Sequence, residues 1–165
     1  MTAYVALLRA VNVGGTGKLP MADLKAMCIT LGFTNVKTYI ASGNIVFTSR
    51  KTEAAVKAAL EAALHTYAGK PVGVIVRTAN EMTTVLEKNP FKKAPPTYTV
   101  GIFLDEAPPK DALTKATGIT NEEMRLGTRE IYVYYPEGQG RSKLRIPAAK
   151  NGTARNMNTV ATLAA

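Results

Sequence analysis

The side chains that most often do chemistry are scarce in this chain of 165 residues, which contains one Cys, one His and no Trp. A single Cys excludes an internal disulfide, and together with a single His it excludes a zinc site built from Cys and His. A Ser-His-Asp or Cys-His arrangement would have to use His65. The acidic residues are scattered, without the D-x-D or H-E-x-x-H spacing of metal-dependent catalysis. We therefore predict no metal, no cofactor and no catalytic residue.

Cys28 falls on the apolar stripe of a helix predicted over 20–31, which indicates a buried small hydrophobe. His65 falls about opposite the apolar stripe of a helix predicted over 53–67, which indicates a solvated side chain. Neither placement favours a role in chemistry.

The glycine-rich stretch Gly14–Lys18 follows a predicted strand and precedes a predicted helix, the geometry in which backbone N–H groups bind phosphates. It is not a Walker A motif, because Asn12 and Leu19 stand where that motif needs Gly and Ser or Thr. It is not a dinucleotide fingerprint, because Pro20 occupies the third glycine position. An anion-binding loop and a plain flexible loop both remain open.

Arg9 and Asn12 lie near the end of the first predicted strand, over residues 3–13. A charge on a partly buried sheet face needs a partner, which for Arg9 is either a carboxylate of the protein or a ligand anion. Asn44 follows a Ser42-Gly43 turn, and it either serves that turn alone or faces the same cleft as the first strand.

Arg155 and Asn156 precede a predicted C-terminal helix. This helix start either binds an anion with Arg155 or is capped by Thr153 or Asn156. Arg141 and Lys143 begin another short helical piece and offer a similar pair of cations. The predicted ligand-binding residues are Arg9, Asn12, Lys18, Asn44, Arg141, Lys143, Arg155 and Asn156.

The net charge of +9 is concentrated at the two ends of the chain. Residues 1–52 carry +5, residues 138–165 carry +5 with no acid, and the residues between them carry −1. If the fold brings the ends together, they form one basic face that attracts phosphorylated ligands or nucleic acid. Solubility is the alternative reason for such a charge. We expect the two ends to converge.

The elements that must position these residues follow the order β-α-β-β-α-β in the first half, the order of the ferredoxin-like plait. Alternation, caps and turn residues predict strands over 3–13, 36–41, 44–49 and 72–77 and helices over 20–31 and 53–67. We expect an antiparallel sheet with the first strand in an interior position.

The second half has the predicted order β-α-β-β-α, the same pattern without its last strand. A short helix over 79–88 is followed by a strand over 97–104, a helix of one to two turns opened by Pro108-Pro109, and a hairpin over 122–126 and 130–135. Helical pieces broken by Pro147 and Gly152 end the chain. The fold class is therefore α+β, with two ferredoxin-like subdomains with antiparallel sheets. Their bounds are 1–77 and 97–165, with a linker with a short helix over 78–96.

Tyrosines in predicted strands include Tyr132 and Tyr134. Exposed tyrosines on a sheet stack bases in some RNA-binding proteins of the plait type. The chain lacks the glycine-aromatic segment of those domains, so packing is the favoured interpretation.

Several stretches resemble a bacterial family known as domain of unknown function 1697. They are Tyr4–Gly15, Thr38–Phe47, Asn89-Pro90-Phe91, Gly140–Leu144 and Arg155–Val160, in this order and spacing. The resemblance implies two ferredoxin-like subdomains and implies no established activity, cofactor or substrate.

The chain departs from the family pattern in two places. Met157 stands where the family usually has Trp, which argues against a ligand role that needs an aromatic platform there. The stretch between Leu144 and Arg155 is also shorter than usual, and Pro147 would break a long helix.

The function favoured by these features is non-catalytic binding of an anionic partner, either a phosphorylated small molecule (a phosphorylated metabolite) or a nucleic acid. The alternatives are an enzyme acting on a phosphorylated substrate, with Arg and Lys stabilising charge, and a protein-interaction module using a sheet edge. The first residues show neither a signal peptide nor a membrane span. We expect a basic, monomeric protein of the bacterial cytoplasm that does not associate with membranes.

Overall fold

A computed structural model of the chain describes residues 1–9, 19–39 and 43–165. Within these residues the fold is α+β, with two four-stranded antiparallel sheets and four α-helices. The chain divides into two compact units, Met1–Met82 and Thr83–Ala165.

The first unit has the strand and helix order predicted for a plait. Its elements are β1 (Thr2–Leu8), α1 (Met21–Thr30), β2 (Thr34–Tyr39), β3 (Asn44–Ser49), α2 (Glu53–Ala68) and β4 (Val74–Thr78). The sheet order is β2-β3-β1-β4 with every neighbouring pair antiparallel. The predicted interior position of the first strand is therefore confirmed.

The core of the first unit lies on one face of its sheet. Tyr4, Ala6 and Leu8 of β1 are buried there, because alternate residues of a strand point to the same face. Phe47 of β3 joins them and stacks on Phe33, with ring centroids 4.4 Å apart. The two helices complete this core, so their apolar stripes decide how the unit packs.

Helix α2 begins and ends where its sequence signals predict. The Thr52 side chain accepts a hydrogen bond from the Ala55 N–H at 3.2 Å, and Gly69 ends the helix with φ of 72°. Tyr67 stands at the helical spacing of the buried Val56, Leu60 and Leu64 but does not join the core. It is 47% exposed, and its hydroxyl donates to Asp23 Oδ2 at 2.7 Å, so this polar tip reaches solvent instead of the core.

The second unit is built around a sheet of the same order. Helix α3 (Ala79–Glu87) runs across the division between the units. It is followed by β5 (Thr99–Phe103), β6 (Glu123–Leu126), β7 (Glu130–Tyr134), β8 (Thr153–Asn156) and α4 (Met157–Ala164). The sheet order is β6-β7-β5-β8, all antiparallel, so β5 occupies the interior position that β1 occupies in the first unit.

The expectation that the second unit lacks its last strand is wrong. Thr153–Asn156 forms β8, which pairs with β5 along Val100–Phe103. The four residues Thr-Ala-Arg-Asn carry no apolar alternation, so no local signal marks them as a strand. Pairing with the buried interior strand stabilises them instead.

The helix expected after Pro108-Pro109 is also absent, since residues 110–115 form successive turns. Ala112 N–H donates to the Pro109 carbonyl and Thr114 N–H to the Asp111 carbonyl, the spacing of turns and not of an α-helix. A segment of one to two turns gains too few hydrogen bonds to offset helix nucleation. Pro147 likewise opens only a three-residue 3₁₀ helix.

Gly118 occupies a backbone position that only glycine suits. Its φ is +73°, and a Cβ placed there would collide with the carbonyl of Lys143. The adjacent Thr117 exchanges two backbone hydrogen bonds of 2.9 Å with Arg145, so this close approach holds the 117 and 145 segments together.

We predict that Gly118→Ala lowers the free energy of unfolding by at least about 2 kcal/mol, because it adds left-handed strain and a backbone clash. Gly140→Ala is the matched control, since a Cβ there meets no atom within 4 Å. Urea titrations followed by circular dichroism measure both changes. Equal stability of the two variants would contradict the role given to Gly118.

Candidate functional site

Arg9 is expected inside the first strand, but it lies one residue beyond the end of β1. Its side chain is half-buried. Its N–H donates to the Gly73 carbonyl at 2.9 Å. Its side chain crosses Gly73 closely enough that a Cβ there would lie 3.2 Å from Arg9 Cδ. The aliphatic part of the Arg9 side chain therefore packs on Gly73, the residue before β4. Asn12 and Lys18, also predicted to bind the ligand, lie outside the described residues.

Asn44 is fully buried at the start of β3. Its side-chain amide donates to the carbonyl of Tyr39 at 2.9 Å, which joins the two ends of the β2–β3 hairpin. Of the two interpretations of Asn44, the structure supports the one in which it serves the turn. A ligand role for this amide stays a prediction.

Arg155 is buried in β8, where it is 7% exposed. Its Nη1 donates to Thr153 Oγ1 at 2.7 Å and to the Ala154 carbonyl at 2.9 Å. Burial lowers the pKa of its guanidinium to about 10, so Arg155 remains charged at neutral pH. Both of these hydrogen bonds are made to residues of β8 itself.

Asn156 caps α4, because its Oδ1 accepts a hydrogen bond from the Thr159 N–H at 2.9 Å. The helix start proposed for an anion therefore already holds the oxygen of its own cap. Met157, where the family usually has Trp, is 3% exposed, and its Cε would lie 3.5 Å from a Cβ on Gly101. It fills space over β5.

Arg141 and Lys143 line the same cavity of about 180 Å³ in the second unit. Thr120–Glu122 and Tyr135–Gly138 form its other walls. Among the predicted site residues, these two are brought together around a shared space, and Arg155 and Asn156 are neighbours on β8.

A carboxylate of the protein itself, that of Glu122, lies in the wall of this cavity. Ser142 Oγ donates to Glu122 Oε2, and the N–H groups of Thr120 and Asn121 donate to Glu122 Oε1 at 2.7 and 3.1 Å. The Ser142 hydrogen bond, followed by those of the backbone, lowers the pKa of the Glu122 carboxyl to about 2. With Glu137 also in the wall, two carboxylates balance Arg141 and Lys143. The cavity therefore has little charge to offer a second anion.

A larger depression of about 560 Å³ lies between the 89–95 loop and the β6–β7 hairpin. We call it the Phe91 groove, and its walls are residues 89–95, Glu123 and Tyr134. The rings of Phe91 and Tyr134 meet with centroids 6.1 Å apart at 40°. The guanidinium carbon of Arg125 lies 5.8 Å from the Phe91 ring centroid, a cation–π contact.

A tight turn presents two lysines to this groove. Asn89 Oδ1 accepts from the Phe91 N–H at 2.9 Å, and the Ala94 N–H donates to the Phe91 carbonyl at 2.9 Å. Lys92 and Lys93 are the central residues of that turn, and both are exposed. Within the described part of the chain, neither forms an ion pair.

This groove is not among the sites predicted from the sequence, because residues 78–96 are predicted to be a linker with a short helix. Two signals were present: Asn89-Pro90-Phe91 is a turn sequence with an aromatic residue, and two consecutive lysines follow it. What no sequence pattern showed is that Phe91 meets Tyr134 from a strand more than 40 positions away.

Cys28 is buried and His65 is exposed, as predicted. Burial raises the pKa of the Cys28 thiol to about 12. No group of three or more His, Cys, Asp or Glu residues suited to a metal ion occurs among residues 1–9, 19–39 and 43–165. In the same residues, no helix is both long and apolar enough to cross a membrane.

The fold is similar to a solved structure, that of conserved bacterial protein SP0830 from Streptococcus pneumoniae. The two chains are 24% identical with a TM-score of 0.81, and the match covers 99% of this chain and 97% of that chain. At this identity the likeness shows the fold. The sequence model of the family described as Protein of unknown function (DUF1697) matches residues 1–132, and the chain belongs to this family. No curated protein matches the chain.

We predict that Glu122→Gln lowers the thermal midpoint at pH 7, because it removes the charge that three donors stabilise. A depressed folded-state pKa contributes stability above the unfolded value, and this contribution is lost as pH falls through about 2. The difference from the parent should therefore shrink as pH is lowered toward that value. Glu137→Gln removes a carboxylate from the same cavity wall and is the control for net charge. A pH-independent difference for Glu122→Gln would exclude the charge as its cause.

We also predict that a disulfide reagent reacts with Cys28 far more slowly in the folded protein than in the unfolded chain. The thiolate is the reactive form, and a pKa of about 12 leaves almost none of it at pH 8. Absorbance of the released thiol measures both rates, with and without denaturant. Rapid stoichiometric reaction of the folded protein would contradict the burial of Cys28.

Proposed function

We propose that the protein binds an anionic partner without catalysing a reaction on it, the partner being a phosphorylated small molecule or a nucleic acid. The Phe91 groove is the observation that supports this proposal most directly, because it combines aromatic rings with three cationic side chains. We infer that the setting is the bacterial cytoplasm and that the protein acts as a monomer.

The charges of the groove favour an anion over a neutral ligand. Lys92 and Lys93 bring two ammonium groups to one turn, and Arg125 adds a planar guanidinium beside Phe91. The opposing charge among the walls is Glu123, so the local balance is positive. In the cavity beside Arg141 and Lys143, the two carboxylates cancel the two cations. An incoming phosphate therefore gains more from the groove than from the cavity.

The size and shape of the groove favour a ligand with a flat part. Its volume of about 560 Å³ lies within the usual range of ligand sites, roughly 300–1,000 Å³. Phe91 and Tyr134 offer apolar ring faces, while the lysines flank them on the 89–95 loop. The overall net charge of +9 raises the local concentration of anions around the whole protein. A shared basic face made of residues 1–52 and 138–165 stays a prediction.

We predict that the double variant Lys92→Ala/Lys93→Ala weakens binding of inorganic polyphosphate by at least about threefold, since it removes two exposed phosphate partners. Isothermal titration calorimetry measures the dissociation constant. Lys110→Ala is the charge control, because Lys110 is exposed in the same unit but lies outside the groove walls.

Binding to the parent should also weaken as salt is raised from about 50 to 200 mM, as expected for phosphate contacts. If Lys110→Ala, which removes one charge, loses half the binding free energy that the double variant loses by removing two, net charge and not the groove attracts polyphosphate. Absence of binding to the parent at low salt would overturn the proposed function.

A further inference from the structure

We propose that the Phe91 groove binds single-stranded nucleic acid, with a base against Phe91 and Tyr134 and the phosphates along Lys92, Lys93 and the β6 edge. This inference rests on the proposed function and names its ligand class. A second depression lies on the same edge of the second sheet as the groove.

The second depression, of about 280 Å³, lies at the other end of β6. We call it the Thr128 depression, and its walls include Thr84, Lys88 and the turn Leu126–Thr128. Tyr132 also lines it, and its hydroxyl donates to the Val85 carbonyl at 2.8 Å, which ties this strand to α3. Lys88 supplies a cation there.

Strand register connects the two depressions. Glu123 pairs with Tyr134 and Arg125 pairs with Tyr132, so Glu123 and Arg125 share the face that carries both tyrosines. Tyr134 lines the Phe91 groove, Tyr132 lines the Thr128 depression, and Arg125 lies between them beside Phe91. The strand β6 spans about 10 Å from Glu123 to Leu126 at ~3.3 Å per residue. A ligand that fills both depressions must be an extended chain.

The cations along this path match a chain of phosphates. Lys92 and Lys93 stand at the groove, Arg125 at the middle of β6 and Lys88 at the second depression. Glu123 and the buried Glu130 are the acids in the two sets of walls, so cations outnumber acids. A free mononucleotide would occupy one depression and leave the cations of the other without a partner. A polymer of phosphates engages both.

The aromatic part of the groove selects a single strand over a duplex. A base must be unstacked before it can lie against Phe91 or Tyr134, and the bases of a duplex are already stacked on each other. The rings are held in place, because Phe91 is fixed by the 89–94 turn and Tyr134 by its strand pairing with Thr99 and Glu123. The platform is therefore formed before the ligand arrives.

The test measures fluorescence anisotropy of an end-labelled oligothymidylate of about 12 nucleotides, a length within the range of single-strand sites. Competitors are the unlabelled strand, the duplex of the same length and thymidine monophosphate. We expect the single strand to bind more tightly than the duplex or thymidine monophosphate.

The variants separate stacking from charge. Phe91→Leu keeps an apolar side chain in the turn but removes the ring, and we expect it to weaken binding about 5-fold to 100-fold. Tyr98→Leu removes an exposed ring that lies outside the groove walls, so it should bind like the parent. Lys92→Ala/Lys93→Ala should reduce the slope of log affinity against log salt by about 1.4, and Lys110→Ala should leave it nearly unchanged. Circular dichroism checks that each variant is folded.

The outcomes distinguish this inference from the proposed function. If polyphosphate and duplex bind as well as the single strand and Phe91→Leu has no effect, anion binding stands and the nucleic-acid inference is wrong. If thymidine monophosphate competes as well as the oligonucleotide, the ligand is a free nucleotide and the inference is also wrong. If neither polyphosphate nor the oligonucleotide binds at low salt, both proposals are overturned.

Discussion

Every residue from Tyr4 to Leu8 of β1 and from Thr99 to Phe103 of β5 is buried, and each of these strands is paired with a neighbouring strand on both edges. An interior strand of this kind leaves no space for an exposed polar side chain. The two plait-like sheets therefore depend on two short apolar segments. The groups that can meet a ligand are displaced to edge strands and to the loops that follow them.

Three charged side chains nevertheless lie buried in the strands around these segments: Arg77, Glu130 and Arg155. Arg77 is 1% exposed, and its Nη1 donates to the Val76 carbonyl at 3.1 Å. Removing a buried charge from its hydrogen bonds is costly, so such residues restrict how a strand can pack. The hydrogen bonds described for Arg77 and Arg155 are made within their own strands, β4 and β8.

Two cationic regions of the second unit differ in how many carboxylates lie beside their cations. Beside Arg141 and Lys143, the chain supplies its own carboxylate, Glu122, which accepts hydrogen bonds from a serine and two backbone N–H groups. At Lys92 and Lys93, the turn points two ammonium groups outward beside an aromatic pair. In the first region the carboxylates equal the cations in number, and in the second the two lysines outnumber Glu123, the acid among the groove walls. The strand β6 is at the edge of its sheet, and its residue Arg125 lies beside Phe91 of the second region.

Local sequence signals determined the first unit, because its strands alternate, Thr52 and Gly69 mark the ends of α2, and Cys28 falls on an apolar stripe. They also predicted the α+β class and the hairpin of β6 and β7. Tertiary structure alone decided the rest. β8 exists because β5 offers it a partner, and the groove exists because the β7 strand brings Tyr134 to Phe91. Periodicity and capping act over a few residues, whereas strand pairing and ring contacts join distant positions that no local pattern relates.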